Sequence, residues 1–140
     1  MTHILKISEA ASLALHSMAY LASRKKNECV SLKEISKRLK ASDAHLSKVL
    51  QRLAKQGLVS STRGPKGGFT LAKDANDITL LEILETIEGQ IQPSKCLFDT
   101  PICDGEQCIL ADLLEKISTE VHEYLKTRRL AEFKNVFKYP

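Results

Sequence analysis

Three of the four cysteines in this 140-residue sequence lie close together, in the segment CLFDTPICDGEQC at residues 96–108. Cys96, Cys103 and Cys108 are separated by six and four intervening residues. Thiolates hold iron–sulfur clusters, but a cluster needs four ligands, so the fourth would come from elsewhere. The spacing alone also allows a zinc site, a thiol switch or inert cysteines. A disulfide would leave one cysteine over, and Cys29, far from the group, is interpreted as a bystander or, less favoured, a free reactive thiol.

The segment around these cysteines is predicted to be irregular, and a long helix is predicted to follow it. Pro93, Pro101 and Gly105 disfavour regular structure over residues 90–107. The long helix is predicted to begin at Ile109. Its apolar residues follow a 4-3 spacing, which is typical of a helix that packs against a partner helix. These residues are Leu110, Leu114, Ile117, Val121 and Tyr124. The spacing predicts an interface with a partner helix, and the tail is predicted to form a short amphipathic turn or helix.

Upstream, three helices and a hairpin are predicted from capping signals and hydrophobic periodicity. Ser8 is a candidate N-cap of the first helix, and Ser31 with Glu34 forms a capping box at the second. The third helix spans DAHLSKVLQRLAKQG with Gly57 as its C′ residue, and it buries Leu46, Val49, Leu50 and Leu53. LVSSTRGPKGGFTLAK predicts two short strands around a Gly/Pro turn. A fourth helix follows, from a Thr79–Glu82 box to Gly89.

Helix, tight turn, helix and basic hairpin, in this order, predict a winged helix-turn-helix that binds double-stranded DNA. Residues 31–73 hold ten Lys/Arg and two acids, whereas residues 74–140 hold seven and thirteen. The first turn of the third helix would face base edges and phosphates, and the wing tip would reach the backbone or minor groove. The predicted DNA-contacting residues are Ser42, Asp43, His45, Ser47, Lys48, Arg52, Arg63, Lys66, Lys33, Lys37 and Lys40.

Other classes of protein are disfavoured by the sequence. No apolar run approaches the ~18 residues of a membrane span. The N-terminus lacks the basic region and cleavage site of a signal peptide, so a cytoplasmic protein is expected. The sequence contains no nucleophile–base pair or acid pair that would indicate an enzyme. GPKGG is not a phosphate-binding P-loop, because it lacks the P-loop spacing and leads from one strand into another.

The whole chain resembles the IscR/NsrR-type family of dimeric iron–sulfur winged helix-turn-helix transcription regulators. The most specific part is LVSSTRGPKGGFTLAKDANDITLLEILETIEG, because this family carries an RGPxGGY/F wing followed by such a helix. The resemblance implies a mainly α fold with a small β-hairpin and a long C-terminal dimerisation helix. It implies that Cys96, Cys103 and Cys108 ligate an iron–sulfur cluster, either 2Fe–2S or 4Fe–4S. The predicted parts are a DNA-binding domain at 1–89, a cluster-binding loop at 90–108, and the dimerisation helix and tail at 109–140.

The fourth ligand is where this chain departs from the family pattern. Ala111 stands where the IscR branch has a histidine, and Ser12 stands where some NsrR-like members have an aspartate. A histidine at the place of His16 is a ligand in a related redox-sensing branch. The resemblance therefore implies His16 of the partner subunit as the fourth ligand, with Glu9 as the second candidate and water or a small thiol as the third. The alternative for His16 is a core role, because a histidine on a largely apolar helix is more often a core residue.

The expected function is a regulator whose affinity for a pseudo-palindromic operator changes when its cluster is lost, oxidised or nitrosylated. Two chains would pack through residues 109–128 and present two recognition helices. The alternatives are a cluster-free thiol sensor and a zinc-stabilised winged-helix regulator or adaptor.

Overall fold

Five α-helices and one β-hairpin make up the computed structural model, which describes residues 6–137. The helices are α1 (Glu9–Ala22), α2 (Leu32–Leu39), α3 (Asp43–Lys55), α4 (Leu80–Glu88) and α5 (Leu113–Thr127). The hairpin consists of β1 (Val59–Thr62) and β2 (Gly68–Leu71). Short 3-10 turns cover Ala75–Asp77 and Leu130–Phe133. The predicted mainly α fold with a small hairpin is confirmed.

The predicted N-caps of α1, α2 and α4 and the predicted end of α3 are confirmed by hydrogen bonds at the helix ends. The side chains of Ser8, Ser31 and Thr79 each accept a hydrogen bond from a backbone N–H three residues later, which satisfies a donor that the helix leaves free. Gly57 has a φ of 77° and donates to the carbonyl of Ala54 at 3.0 Å, directly after α3. This left-handed residue ends α3 and turns the chain into the hairpin.

The core lies between α1, α3 and α4. All four predicted inward residues of α3 are buried: Leu46, Val49, Leu50 and Leu53. They pack with Met18 of α1 and Ile83 of α4. Full burial of such side chains contributes roughly 1.5–3 kcal/mol each, so this cluster fixes the orientation of the helix-turn-helix.

The wing hairpin is antiparallel and is extended by a residue from the preceding loop. Ser61 pairs with Phe69 and Thr62 with Gly68. On the other side of β2, Val30 and Phe69 exchange backbone hydrogen bonds of 2.9 and 2.8 Å. A Cβ on Gly68 would lie 2.4 Å from the carbonyl oxygen of Val30, so this close approach requires glycine.

Helix α5 begins at Leu113, four residues later than predicted. Residues 108–112 form turns in which the N–H of Ala111 donates to the carbonyl of Cys108, and Ala111 has a left-handed φ of 50°. That conformation is incompatible with a continuous helix from Ile109. No residue of α5 is buried, and both Ile117 and Tyr124 are 46% exposed. The 4-3 spaced face therefore has an open surface in the single chain.

The segment after α5 returns to the core. Leu130 is 1% exposed and its N–H donates to the carbonyl of Ile78 at 2.8 Å. The N–H of Leu80 donates to the carbonyl of Arg128 at 3.1 Å. The predicted short helix in the tail is thus a 3-10 turn that closes onto the start of α4. The division into residues 1–89, 90–108 and 109–140 stays a prediction, and its first five and last three residues lie outside the described part.

Within residues 6–137, no helix has the length and apolar character needed to cross a membrane.

Candidate DNA interface and cysteine loop

The first turn of α3 presents a row of polar side chains beside the helix-turn-helix turn. Ser42 is the N-cap, and its hydroxyl accepts the N–H of His45 at 3.2 Å. Lys48 is exposed, and Ser47 is half-buried and accepts a hydrogen bond from Gln51 at 3.1 Å. Gln51 is not among the residues predicted to contact DNA, although it lies one helical turn from Ser47 on the same face. This end of α3 has the side-chain chemistry to reach base edges.

An ion pair crosses the turn between α2 and α3. The Nζ atom of Lys33 lies 2.6 Å from Oδ2 of Asp43. This hydrogen bond, together with one from Ser36, holds the pKa of Asp43 below its usual range, and the carboxylate in turn raises the pKa of Lys33. Lys33 and Asp43 were both predicted to contact DNA, and the structure joins them to each other.

His45 faces the first helix as well as the solvent. Its Nδ1 atom lies 3.9 Å from Oε1 of Glu9, which is 82% exposed at the start of α1. Glu9, predicted as an alternative cluster ligand, therefore lies beside a predicted DNA-contacting residue of the same chain.

Arg52 has an internal role that was not predicted from the sequence. Its guanidinium donates to the carbonyl oxygen of Ile87 at 2.7 Å and to that of Thr86 at 3.3 Å. These carbonyls belong to the last turn of α4, where unpaired acceptors favour a cation. Arg52 thus ties α3 to the end of α4, and its contact with DNA stays a prediction.

The remaining predicted cations are exposed, and they lie at the end of α2 and in the wing. Arg63 and Lys66 lie in the turn between β1 and β2. Lys37 lies in the last turn of α2, and Lys40 follows that helix with a left-handed φ of 54°. Four exposed positive charges on the turn and the wing provide the electrostatic basis for binding a phosphate backbone.

The cysteine loop, residues 90–108, follows α4 directly after Gly89 and is hydrogen-bonded to α5. Ser118 of α5 accepts the N–H of Ser94 at 3.0 Å and donates to its carbonyl at 3.1 Å. Ile91 donates its N–H to the Glu85 carboxylate at 3.2 Å. The loop therefore has fixed attachments at its start.

The three cysteines of the loop are accessible, and none of them forms a disulfide in the part of the chain that the structure describes. Cys103 is exposed, and Cys96 and Cys108 are half-buried. The Sγ atom of Cys96 accepts the N–H of Phe98 at 3.4 Å. Between residues 6 and 137, no three His, Cys, Asp or Glu side chains are grouped closely enough to hold a metal ion. The donor set of three thiols fits iron–sulfur chemistry, while the loop of the single chain does not bring the thiols together.

His16 is not a core residue but an exposed residue of α1. Its Nδ1 atom lies 2.7 Å from the carbonyl oxygen of Ser12, and its ring meets Phe137 edge-on at 6.2 Å. A ring held by a backbone carbonyl at Nδ1 keeps Nε2 available as an acceptor, which is the usual arrangement of a metal-binding histidine. Its role as a ligand stays a prediction.

An apolar groove lies between α1, α4 and α5. Leu15, Leu84 and Ile91 line one side, and Val121 and Leu125 line the other. Ile117 and Tyr124 of the 4-3 spaced face also border the groove. An open apolar surface of this kind is typical of an interaction site.

Comparison with known proteins identifies the class. The family model named Rrf2 and described as an iron-dependent transcriptional regulator matches residues 7–135. The HTH-type transcriptional regulator IscR of Photorhabdus laumondii is 29% identical over 131 residues, which cover 94% of this chain and 80% of that protein.

Two solved structures have the same fold. The global cysteine regulator CymR of B. subtilis has a TM-score of 0.79 and 30% identity, covering 95% of this chain and 98% of that one. IscR of T. potens has a TM-score of 0.73 and 28% identity, covering 96% and 90%. These proteins are transcriptional regulators rather than enzymes.

Proposed function

This chain belongs to the Rrf2 family of transcriptional regulators, and we propose that its affinity for a DNA operator is controlled by an iron–sulfur cluster at the cysteine loop. The observation that carries the proposal is the loop itself. Its three accessible thiols lie between two elements, α4 and α5, that connect directly to the DNA-binding part.

The DNA-binding step uses the helix-turn-helix and the wing. Helix α3 enters the major groove with Ser42 and His45 foremost, and phosphates are contacted by the exposed side chains of Lys37, Lys40, Arg63 and Lys66. Because each phosphate contact releases counterions, binding weakens steeply with salt.

Cys96, Cys103 and Cys108 would hold the cluster through their thiolates. His16 of a second copy is the proposed fourth ligand, with Glu9 as the alternative. A bound cluster supplies a centre that responds to iron supply, oxidants or nitric oxide. The protein's own contribution is a loop that is free of helical hydrogen bonds, exposed at Cys103 and fastened to α5 through Ser118.

A second copy of the chain is the proposed occupant of the groove between α1, α4 and α5. The open 4-3 spaced face of α5, with Ile117 and Tyr124, borders this groove. Dimerisation would bury these side chains and set two recognition helices at the spacing of a palindromic operator.

The end of α4 connects the loop with the recognition helix. Arg52 of α3 donates to the carbonyls of Thr86 and Ile87, and the N-cap hydroxyl of Ser8 donates to Glu88. The cysteine loop begins at the next residue, Gly89. A change in the loop would therefore act on α3 and on the start of α1, and a shift that loses one base contact costs about 1–3 kcal/mol.

The test compares Cys103→Ser with Cys29→Ser. Both proteins are purified without oxygen, and iron, acid-labile sulfide and dimer mass are measured. The proposal predicts that Cys103→Ser loses iron and sulfide while it stays folded, and that Cys29→Ser matches the wild type. Equal iron and sulfide in all three proteins would refute the role of Cys103.

A thiol-based switch without a cluster is the second candidate. The specific observation in its favour is the similarity to CymR, a global cysteine regulator. In this case the wild-type protein contains no iron, and oxidation of the thiols alone changes its DNA affinity.

A further inference from the structure

The Lys33–Asp43 ion pair occupies an unusual place for a surface contact. Lys33 is in the first turn of α2, which crosses the DNA backbone in a helix-turn-helix, and Asp43 is the first residue of α3. The pair therefore lies where a lysine would be expected to bind a phosphate, and its carboxylate would approach the same negative charge.

Stability does not explain the pair. The side chain of Lys33 is 86% exposed and that of Asp43 is 38% exposed. Exposed ion pairs contribute little to folding because water and salt screen them. Asp43 is also in the first turn of α3, where a carboxylate gains only about 0.3–1 kcal/mol from the helix dipole.

We infer that Asp43 is a specificity-determining residue that sequesters Lys33 and suppresses sequence-independent binding to DNA. While the 2.6 Å contact holds, the ammonium of Lys33 is unavailable to the phosphate backbone, and the carboxylate repels phosphates that approach α3. On DNA of random sequence, the protein therefore makes one phosphate contact fewer than the number of its exposed lysines would allow. At the operator, base contacts by the rest of α3 supply affinity that does not depend on this charge. The role rests on the proposed docking of α3 but not on the cluster.

The test uses Asp43→Asn, Lys33→Gln and the double variant. Glu82→Gln is the matched control, because Glu82 also pairs with a lysine, Lys73, at 2.9 Å and lies on α4. Binding is measured from 50 to 200 mM salt on two probes. One is a labelled 30-base-pair duplex of random sequence, and the other is a duplex that the wild type selects from a random pool. Thermal unfolding verifies that each variant is folded.

For the random duplex, Asp43→Asn should bind more tightly and its log–log salt slope should steepen by about 0.9, the value of one phosphate contact. Over the fourfold salt range this corresponds to an additional change of about 3.5-fold in affinity. In the Lys33→Gln background the same substitution should steepen the slope by clearly less, because only the repulsion by the carboxylate is removed and no lysine is released. The selected duplex should gain less, so the ratio of specific to random binding falls. Glu82→Gln should leave affinity and slope unaltered.

Two results would overturn the inference: an unchanged slope in Asp43→Asn, or the same steepening with and without Lys33. Loss of affinity for the selected duplex alone would also overturn it, because Asp43 would then read a base. A wild-type protein that selects no duplex from the pool and does not bind the random duplex would instead refute the docking of α3 itself, and this role with it.

Discussion

Gly68→Ala is the substitution for which the structure gives the sharpest expectation. Gly68 starts β2 with a φ of 157°, and an added Cβ would lie 2.4 Å from the carbonyl oxygen and 2.6 Å from the carbonyl carbon of Val30. Both atoms belong to the backbone, so no side chain can move aside. The chain at Val30 must therefore move away from β2, which breaks the two hydrogen bonds between Val30 and Phe69.

The cost follows from these contacts. Two backbone hydrogen bonds are worth about 1–3 kcal/mol together, at roughly 0.5–1.5 kcal/mol each. A residue kept in a sparsely populated φ region adds about 1–3 kcal/mol. The free energy of unfolding should therefore fall by about 2–6 kcal/mol, a large part of the 5–15 kcal/mol that typical domains have.

Urea unfolding measures this loss, and Gly57→Ala is the control. Gly57 has a φ of 77° but nothing within 4 Å of its added Cβ, so its variant has backbone strain without a clash. Gly68→Ala should be the less stable of the two, and it should also bind DNA more weakly because the wing separates from Val30. Equal stability of the two variants would refute the role assigned to the Val30 contact.

Three further substitutions test the packing around the site. Leu130→Ala should cost about 2–5 kcal/mol in urea unfolding, because the side chain is 1% exposed in the core; a smaller loss would mean that the tail does not pack as described. Arg52→Gln should cost about 1–3 kcal/mol by removing a charged donor from the carbonyl of Ile87, and wild-type stability would show that α3 is not tied to α4. Burial, and next the hydrogen bond from its hydroxyl to Glu34, raise the pKa of Tyr20. The resulting stabilisation is complete below the unfolded pKa of about 10 and is lost as the pH rises through the higher folded value. At neutral pH the free energy of unfolding of Tyr20→Phe should be about 1 kcal/mol lower than that of the wild type, because the hydrogen bond to Glu34 is lost. Above pH ~10 it should decline less steeply than that of the wild type, as unfolding at several pH values would show.

Local signals in the sequence were sufficient for most elements. Capping residues such as Ser8 and Thr79 bind N–H groups only three residues away. Gly57 ends α3 because glycine itself adopts a left-handed φ easily. The burial of Leu46 and Leu50 follows from helical periodicity. The start of α5 was predicted too early because apolar spacing continues back to Leu110, whereas the left-handed Ala111 interrupts the helix.

The contacts that the sequence did not predict join residues distant along the chain. Nothing local indicates that Val30 pairs with Phe69, that Arg52 reaches the carbonyl of Ile87, or that Asp43 pairs with Lys33. The site of the cysteines is harder still. Their proposed arrangement depends on an inorganic group and a partner subunit, and neither leaves a pattern in residues 96–108 beyond the thiols themselves.

The central claim is that the cysteine loop holds an iron–sulfur cluster that controls DNA binding. The most direct measurement is the visible spectrum of protein purified without oxygen, with its iron and sulfide content and its DNA affinity before and after oxidation. A cluster in this loop predicts a brown protein with matching iron and sulfide, whose DNA affinity changes when the cluster is oxidised or lost. A colourless protein without iron, or a brown protein with the same DNA affinity in both states, would contradict it.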